Sequence, residues 1–233
     1  MTFDEYDLPE PLLAAVRDLG FVTPTPIQAE ALPMVLEGKD VAAQAQTGTG
    51  KTACFLLGVL KRLLEGEPRR DGFPRAICIA PTRELVLQIS EDAKNLAMHS
   101  DIRIAVCYGG MSWGGQAETL RNGTDIVIGT PGRLIDYVRQ RVLNLRFIES
   151  VVIDEADRMF DMGFVDDIHF LFRKMPPRDQ RQSMLFSATL DQRVMRLSAR
   201  YMKETSKIEI EPDKLVVDSI EQELFHVGSH EKI

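Results

Sequence analysis

Seven short β-rich runs recur along this chain, separated by longer amphipathic ones, and that alternation limits the possible folds more than any other feature. The runs are Asp40–Ala45, Arg75–Ala80, Arg103–Cys107, Asp125–Ile128, Val151–Asp154, Ser183–Phe186 and Lys207–Ile210. Helical periodicity marks Lys51–Leu64, Arg83–His99, Trp113–Arg121, Pro131–Arg139 and Leu190–Tyr201. Several of the β-rich runs are apolar without alternation, as strands are when helices cover both faces of a parallel sheet. The order predicts an α/β fold with a mostly parallel, doubly wound sheet, whose ligands sit at the carboxyl ends of the strands. With 233 residues, the chain suits one large domain.

The sharpest chemical signal lies between the first run and its helix. Ala45, Gln46, Thr47, Gly48, Thr49, Gly50, Lys51 and Thr52 match the phosphate-binding loop GxxxxGK[ST], except that Ala45 replaces the first glycine. Gly48 and Gly50 let the backbone turn its NH groups inward at the positive end of the following helix. Lys51 is suited to reach β- and γ-phosphates, and the Thr52 hydroxyl to help hold Mg²⁺. About a hundred residues later, an apolar strand delivers Asp154, Glu155, Ala156 and Asp157 at its carboxyl end. Asp154 is suited to orient Mg²⁺ through its water shell, since that ion dehydrates reluctantly. Glu155 is placed to orient and deprotonate an attacking water. Alone, such a tetrad would more often cap a helix; paired with the loop, it reads as half of a nucleotide site.

Asp-Glu-Ala-Asp after a strand, with AQTGTGKT upstream, resembles the DEAD-box family of ATP-dependent RNA helicases, and the family's motifs follow in order over nearly the whole chain. That family's first domain also carries alanine at the position of Ala45. The resemblance implies a RecA-like P-loop NTPase domain over residues 1–220, with a Q motif within 1–28. Residues 221–233 are then expected to begin a linker to a second RecA-like domain. It implies ATP and Mg²⁺ as ligands.

Gly20-Phe-Val-Thr23-Pro-Thr-Pro-Ile-Gln28 resembles the adenine-selecting Q motif. A glutamine amide can match the N6 donor and N7 acceptor of adenine. Phe21, or else Phe3, offers a stacking or packing surface, and Thr23 resembles a position that also touches the base. Ser187-Ala188-Thr189 resembles the third motif, whose hydroxyls would bond to Asp157 and tie nucleotide state to domain closure. The other reading is a Ser/Thr turn capping the helix that begins near Leu190.

Three further stretches resemble the family's RNA-contacting motifs: Pro81-Thr-Arg-Glu-Leu85, Gly109-Gly110 and Thr130-Pro-Gly-Arg133. Each follows a predicted strand, so together they would form one edge. Thr82, Arg83, Gly110, Thr130 and Arg133 are the expected contacts to phosphate and ribose, a chemistry that carries little base information. Sequence-tolerant binding of single-stranded or duplex RNA follows, with discrimination against DNA resting on the 2′-hydroxyl. A narrower likeness, to the bacterial RhlB-type subgroup that assists RNA-decay enzymes, rests on Asp154–Gly163 (DEADRMFDMG), Phe172–Pro177 and Glu221–Phe225. It implies an RNA-decay ribonuclease complex as a partner. In the family, a second domain supplies arginines to the γ-phosphate. This chain alone is therefore expected to bind nucleotide but hydrolyse it barely and unwind nothing.

Composition narrows the partners. The formal charge of −7 argues against bulk electrostatic attraction to nucleic acid, leaving a localised groove of backbone NH groups and a few arginines. No apolar stretch approaches the roughly eighteen residues of a membrane span, and the acidic start lacks the order of a signal peptide. A cytoplasmic protein is expected. Cys54, Cys78 and Cys107 read as buried, reduced thiols. His99, His169, His226 and His230 have no metal-ligand spacing, and no structural metal is expected. A guanine-reading Asn-Lys-x-Asp motif is also missing from the sequence.

Overall fold

Parallel pairing joins all seven strands of the computed structural model, which describes residues 2–66 and 72–210. The strands are β1 (Val41–Gln44), β2 (Ala76–Ile79), β3 (Ile104–Cys107), β4 (Ile126–Gly129), β5 (Ser150–Ile153), β6 (Gln182–Ser187) and β7 (Ser206–Glu209), in the order β3-β4-β2-β5-β6-β1-β7. Each falls on one of the seven predicted runs, within a residue or two at its ends. The expected linker at 221–233, its Glu221–Phe225 likeness, His226 and His230 lie outside the described residues, as does most of the polar stretch 65–72.

Nine α-helices cover the sheet among the described residues. One face carries α1 (Glu10–Asp18), α2 (Pro26–Leu36), α3 (Lys51–Glu65) and α4 (Arg83–Leu96). Their apolar sides pack on Val41, Ala43, Cys78, Ile128, Val152 and Phe186. The other face carries α5 (Trp113–Arg121), α6 (Pro131–Arg139), α7 (Ala156–Asp161), α8 (Val165–Phe172) and α9 (Gln192–Tyr201), packed on Ile77, Ile79, Val127, Val151, Ile153 and Leu185. Adjacent strand residues thus point to opposite cores, which is why these runs show no polar alternation. Each fully buried Leu, Ile or Phe in these layers contributes about 1.5–3 kcal/mol.

Local chemistry fixes where the helices start. Pro26 and Pro131 occupy first helical turns, where a missing NH costs nothing. The Thr82 hydroxyl accepts from the Leu85 amide at the start of α4, and the Asp191 carboxylate accepts from the Val194 amide at the start of α9. At the opposite end, the buried Asp40 carboxylate accepts from the amides of Ser183 and Lys203, each at 2.8 Å. It thereby pins the start of β1 to β6 and to the approach to β7.

Candidate active site

The strand order places the ends of β5, β6 and β1 side by side, and with them the acidic tetrad, the Ser-Ala-Thr segment and the glycine-rich loop. The loop runs from buried Ala45, whose amide donates to the Ser187 carbonyl at 2.9 Å, to the first residue of α3. Gln46, Thr47 and Gly48 are exposed along it, and the Thr49 hydroxyl closes the turn by donating to the Gln46 carbonyl at 2.8 Å. Gly48 (φ 84°) and Gly50 (φ 91°) both hold the left-handed backbone expected of a phosphate nest. At Gly50 a Cβ would also lie 2.6 Å from the Gln28 amide nitrogen.

Lys51 and Asp154 meet at the centre. Their Nζ and Oδ1 atoms are 3.0 Å apart, with side chains only 5% and 1% exposed. Burial pushes the Asp154 carboxyl above the usual range, and Lys51 and the Glu155 amide, which donates to Oδ1 at 2.9 Å, pull it back. The second oxygen, Oδ2, is buried with no protein partner. An acceptor left free in this position suits the water shell of a bound Mg²⁺, and Thr52 follows Lys51 at the start of α3. The residues present therefore fit the ion.

Glu155 occupies the residue before α7 with a left-handed backbone (φ 51°, ψ 53°), unusual for a non-glycine residue. Its carboxylate makes no cap bond. Instead Oε1 lies 3.5 Å from the Thr47 hydroxyl and Oε2 pairs with Arg158 at 3.2 Å. Strain of this kind, of order 1–3 kcal/mol, collects at functional sites. Asp157 is bound from two directions. Its amide donates to the Ser187 hydroxyl at 3.0 Å, while its Oδ2 accepts from the amide and hydroxyl of Thr189 at 3.0 and 3.2 Å. Because Asp191 caps α9, Ser187 and Thr189 are free for this contact.

A cavity of about 920 Å³ opens beside the loop, lined by Phe3, Phe21, Thr23, Gln28, Gly50, Lys51 and Thr52, among others. Gln28 is nearly buried. Its Oε1 accepts from the Thr25 amide at 2.9 Å and its Nε2 donates to the Gly50 carbonyl at 3.0 Å. One N–H and one lone pair remain on that amide. Phe21 is half-buried and packs against the buried Phe3 ring at 5.8 Å, while Thr23 is exposed. Thr25, which the sequence reading passed over, gives its amide to Gln28 at the start of α2; its Thr-x-x-Gln spacing is the signal that could have revealed it.

The sequence profile of the DEAD/DEAH box helicases matches residues 25–197, which include Gln28, the loop, the tetrad and the Ser-Ala-Thr segment. The chain belongs to the DEAD/DEAH-box helicase family. It is 49% identical, over 99% of its length, to the ATP-dependent RNA helicase RhlB of Shewanella frigidimarina, covering 54% of that protein. It is 51% identical to the protein of that name from Shewanella sp. (strain ANA-3), over 94% of this chain and 51% of the relative. The Shewanella sediminis protein is 47% identical over 99% of the chain. The chain thus spans about half the length of the curated relatives it matches.

In this DEAD/DEAH-box domain the ends of β3, β4 and β2 are also adjacent, and they carry the other three motifs. Thr82 caps α4, and the exposed Arg83 lies over the Tyr108 ring, 5.0 Å from its centroid. Gly110 (φ 82°) follows β3, within reach of Arg83. The Thr130 amide donates to the Cys107 carbonyl at 2.9 Å, joining two of the turns. Arg133 is half-buried, with Gln116, Tyr137 and the Met111 carbonyl as partners at 3.3–3.4 Å. Sequence reasoning placed these five residues on one edge but missed the side chains that hold them. Among the described residues, no helix is long and apolar enough to cross a membrane.

Proposed function

We propose that this chain is the ATP-binding domain of a cytoplasmic, ATP-dependent RNA helicase that couples nucleotide binding and hydrolysis to local RNA unwinding or remodelling. The observation that carries this reading is the buried Lys51–Asp154 pair, 3.0 Å apart, flanked by the strained Glu155 and by the Asp157–Thr189 contact. When a phosphate chain arrives, Lys51 exchanges its carboxylate partner for phosphate oxygens, while the NH groups of Gly48–Thr52 take the remaining charge. Thr52 and Asp154 would hold Mg²⁺, which would supply charge neutralisation to the phosphate chain. Glu155 then orients the attacking water and takes its proton.

The free donor and acceptor of Gln28 support adenine as the base. The N–H faces N7 and the lone pair accepts from N6; guanine offers acceptors at both positions. Because Nε2 also holds the Gly50 carbonyl, base recognition and loop shape share one amide. Thr82, Arg83, Gly110, Thr130 and Arg133 bind RNA phosphate and ribose with little base preference. A second RecA-like domain supplies the γ-phosphate arginines, worth on the order of 10³–10⁵ in turnover in related enzymes. The chain alone therefore binds nucleotide, turns it over slowly and does not unwind. The resemblance of Asp154–Gly163 and Phe172–Pro177 to the RhlB-type subgroup supports an RNA-decay ribonuclease complex as partner.

Glu155→Gln in a chain extended to the full length of its relatives tests the mechanism. RNA-stimulated phosphate release should fall at least a hundredfold, of the order expected for loss of a general base, while ATP-dependent RNA retention persists. Unchanged turnover would remove Glu155 from its role.

A further inference from the structure

Gln116, on α5, lies outside every family motif quoted above and touches two of the three turns on the proposed RNA edge. Its Nε2 donates to the Tyr108 carbonyl at 3.1 Å, and its Oε1 accepts from the Tyr108 amide at 3.2 Å. Both backbone groups of the residue before Gly109-Gly110 are thus gripped by one amide. The same Oε1 accepts from Arg133 Nη1 at 3.3 Å. Tyr108, buried against the core, presents its ring to the Arg83 guanidinium 5.0 Å away. Arg83, Gly110 and Arg133 follow β2, β3 and β4, so this one amide links the three turns, directly or through Tyr108.

The donor count on Arg133 shows what the link achieves. Nη1 gives its hydrogens to Gln116 and to the Tyr137 hydroxyl oxygen, and Nη2 gives one to the Met111 carbonyl. The Tyr137 hydroxyl proton is committed to the Trp113 carbonyl at 2.9 Å, so that oxygen acts as acceptor toward Arg133. Arg133 retains Nε–H and one Nη2 hydrogen, a two-pronged donor suited to a phosphate. A long side chain held this way has surrendered its rotamer freedom before RNA arrives, which lowers the cost of binding.

We propose that Gln116, acting with Tyr108, is a positioning residue of the RNA edge: it sets Arg133 directly and Arg83 through the Tyr108 ring, without touching RNA itself. The proposal rests on the RNA-edge reading above. It is tested in the full-length helicase by titrating fluorescein-labelled oligouridine in the presence of a non-hydrolysable ATP analogue, with ADP affinity measured in parallel. Gln116→Ala should weaken RNA binding about tenfold, the scale of one lost preorganised contact, and raise the KM for RNA with kcat and ADP affinity unchanged. Gln116→Glu, which keeps the acceptor for Arg133 and the Tyr108 amide, should restore most of the loss. Tyr108→Phe should bind as wild type and Tyr108→Leu should not, because the ring carries Arg83. If Arg133→Ala weakens RNA binding and Gln116→Ala does not, the positioning role is overturned. If neither changes it, the RNA-edge reading itself fails. Should Gln116→Ala not fold, Gln116→Glu and the two Tyr108 variants decide the matter by the same titration.

Discussion

Replacing Lys51 with methionine keeps the length of the side chain and removes its charge, leaving Asp154 buried beside an apolar thioether. At 3.0 Å, the gross attraction of the pair is about 5.5 kcal/mol with an effective dielectric of 20, and much of it offsets the desolvation of both groups. Breaking such a pair from one side costs about 3–5 kcal/mol, because the stranded charge remains. The Asp154 carboxyl, already pushed upward by burial, can escape by taking a proton, so the lower end applies: about 3 kcal/mol near pH 7.5, or roughly 6–12 °C in a domain of this size. A group whose folded pKa is raised stabilises the fold fully below its unfolded pKa and loses that contribution as pH rises through the folded one. Without Lys51 the upward push on Asp154 is unopposed by a cation, so the deficit of the variant should shrink as pH falls from 7.5 to 5.5. Urea unfolding at both values measures it, and adding Asp154→Asn to Lys51→Met should recover more than half of the loss. A Lys51→Met chain within 0.5 kcal/mol of wild type at pH 7.5, or a deficit independent of pH, would refute the reasoning.

Gly50→Ala should abolish measurable ADP binding and cost about 1–3 kcal/mol, because its Cβ would meet the Gln28 amide at 2.6 Å on a left-handed backbone; calorimetry and urea midpoints read both effects. Cys54, Cys78 and Cys107 are buried, with the Cys107 thiol pushed up to about 12 by desolvation. Iodoacetamide at pH 7.5 should therefore label no cysteine in the native chain and all three in urea, and labelling of the folded chain would contradict the packing. His169 lies against Tyr201, and burial, followed by Arg200, lowers its pKa. Its neutral form stabilises the fold above the ordinary histidine range, a contribution lost as pH falls through the lowered value. Wild type should thus lose more stability between pH 7 and 5 than His169→Gln, and parallel pH profiles would remove His169 from that account.

The sheet was legible because its strands are buried on both faces: runs such as Val151–Ile153 and Ala76–Ile79 can be little else once glycine, proline and charge bound them. The loop and tetrad were legible for a different reason, since phosphate and metal chemistry constrain residue type and spacing together. The left-handed backbone of Glu155 was hidden, because sequence carries no signal for strain in a non-glycine residue. Hidden too was the double duty of Gln28, which holds Gly50 from twenty-two residues away. Gln116 escaped for a similar reason, since its partners Tyr108 and Arg133 become neighbours only when β3 and β4 pair. A Ser/Thr turn was the other reading for the cap of α9; Asp191, not singled out in the sequence, takes that cap itself and frees Ser187 and Thr189 for Asp157.

Titration of this chain with Mg-ADP and Mg-GDP, beside Lys51→Ala and Gln28→Ala, tests the central claim most directly. Selective ADP binding is predicted, lost in the lysine variant and both weaker and less adenine-selective in the glutamine variant, since Gln28 also holds the loop. Equal binding of the two nucleotides by the wild-type chain would contradict the adenine assignment, and ADP binding undiminished by Lys51→Ala would contradict the phosphate site itself.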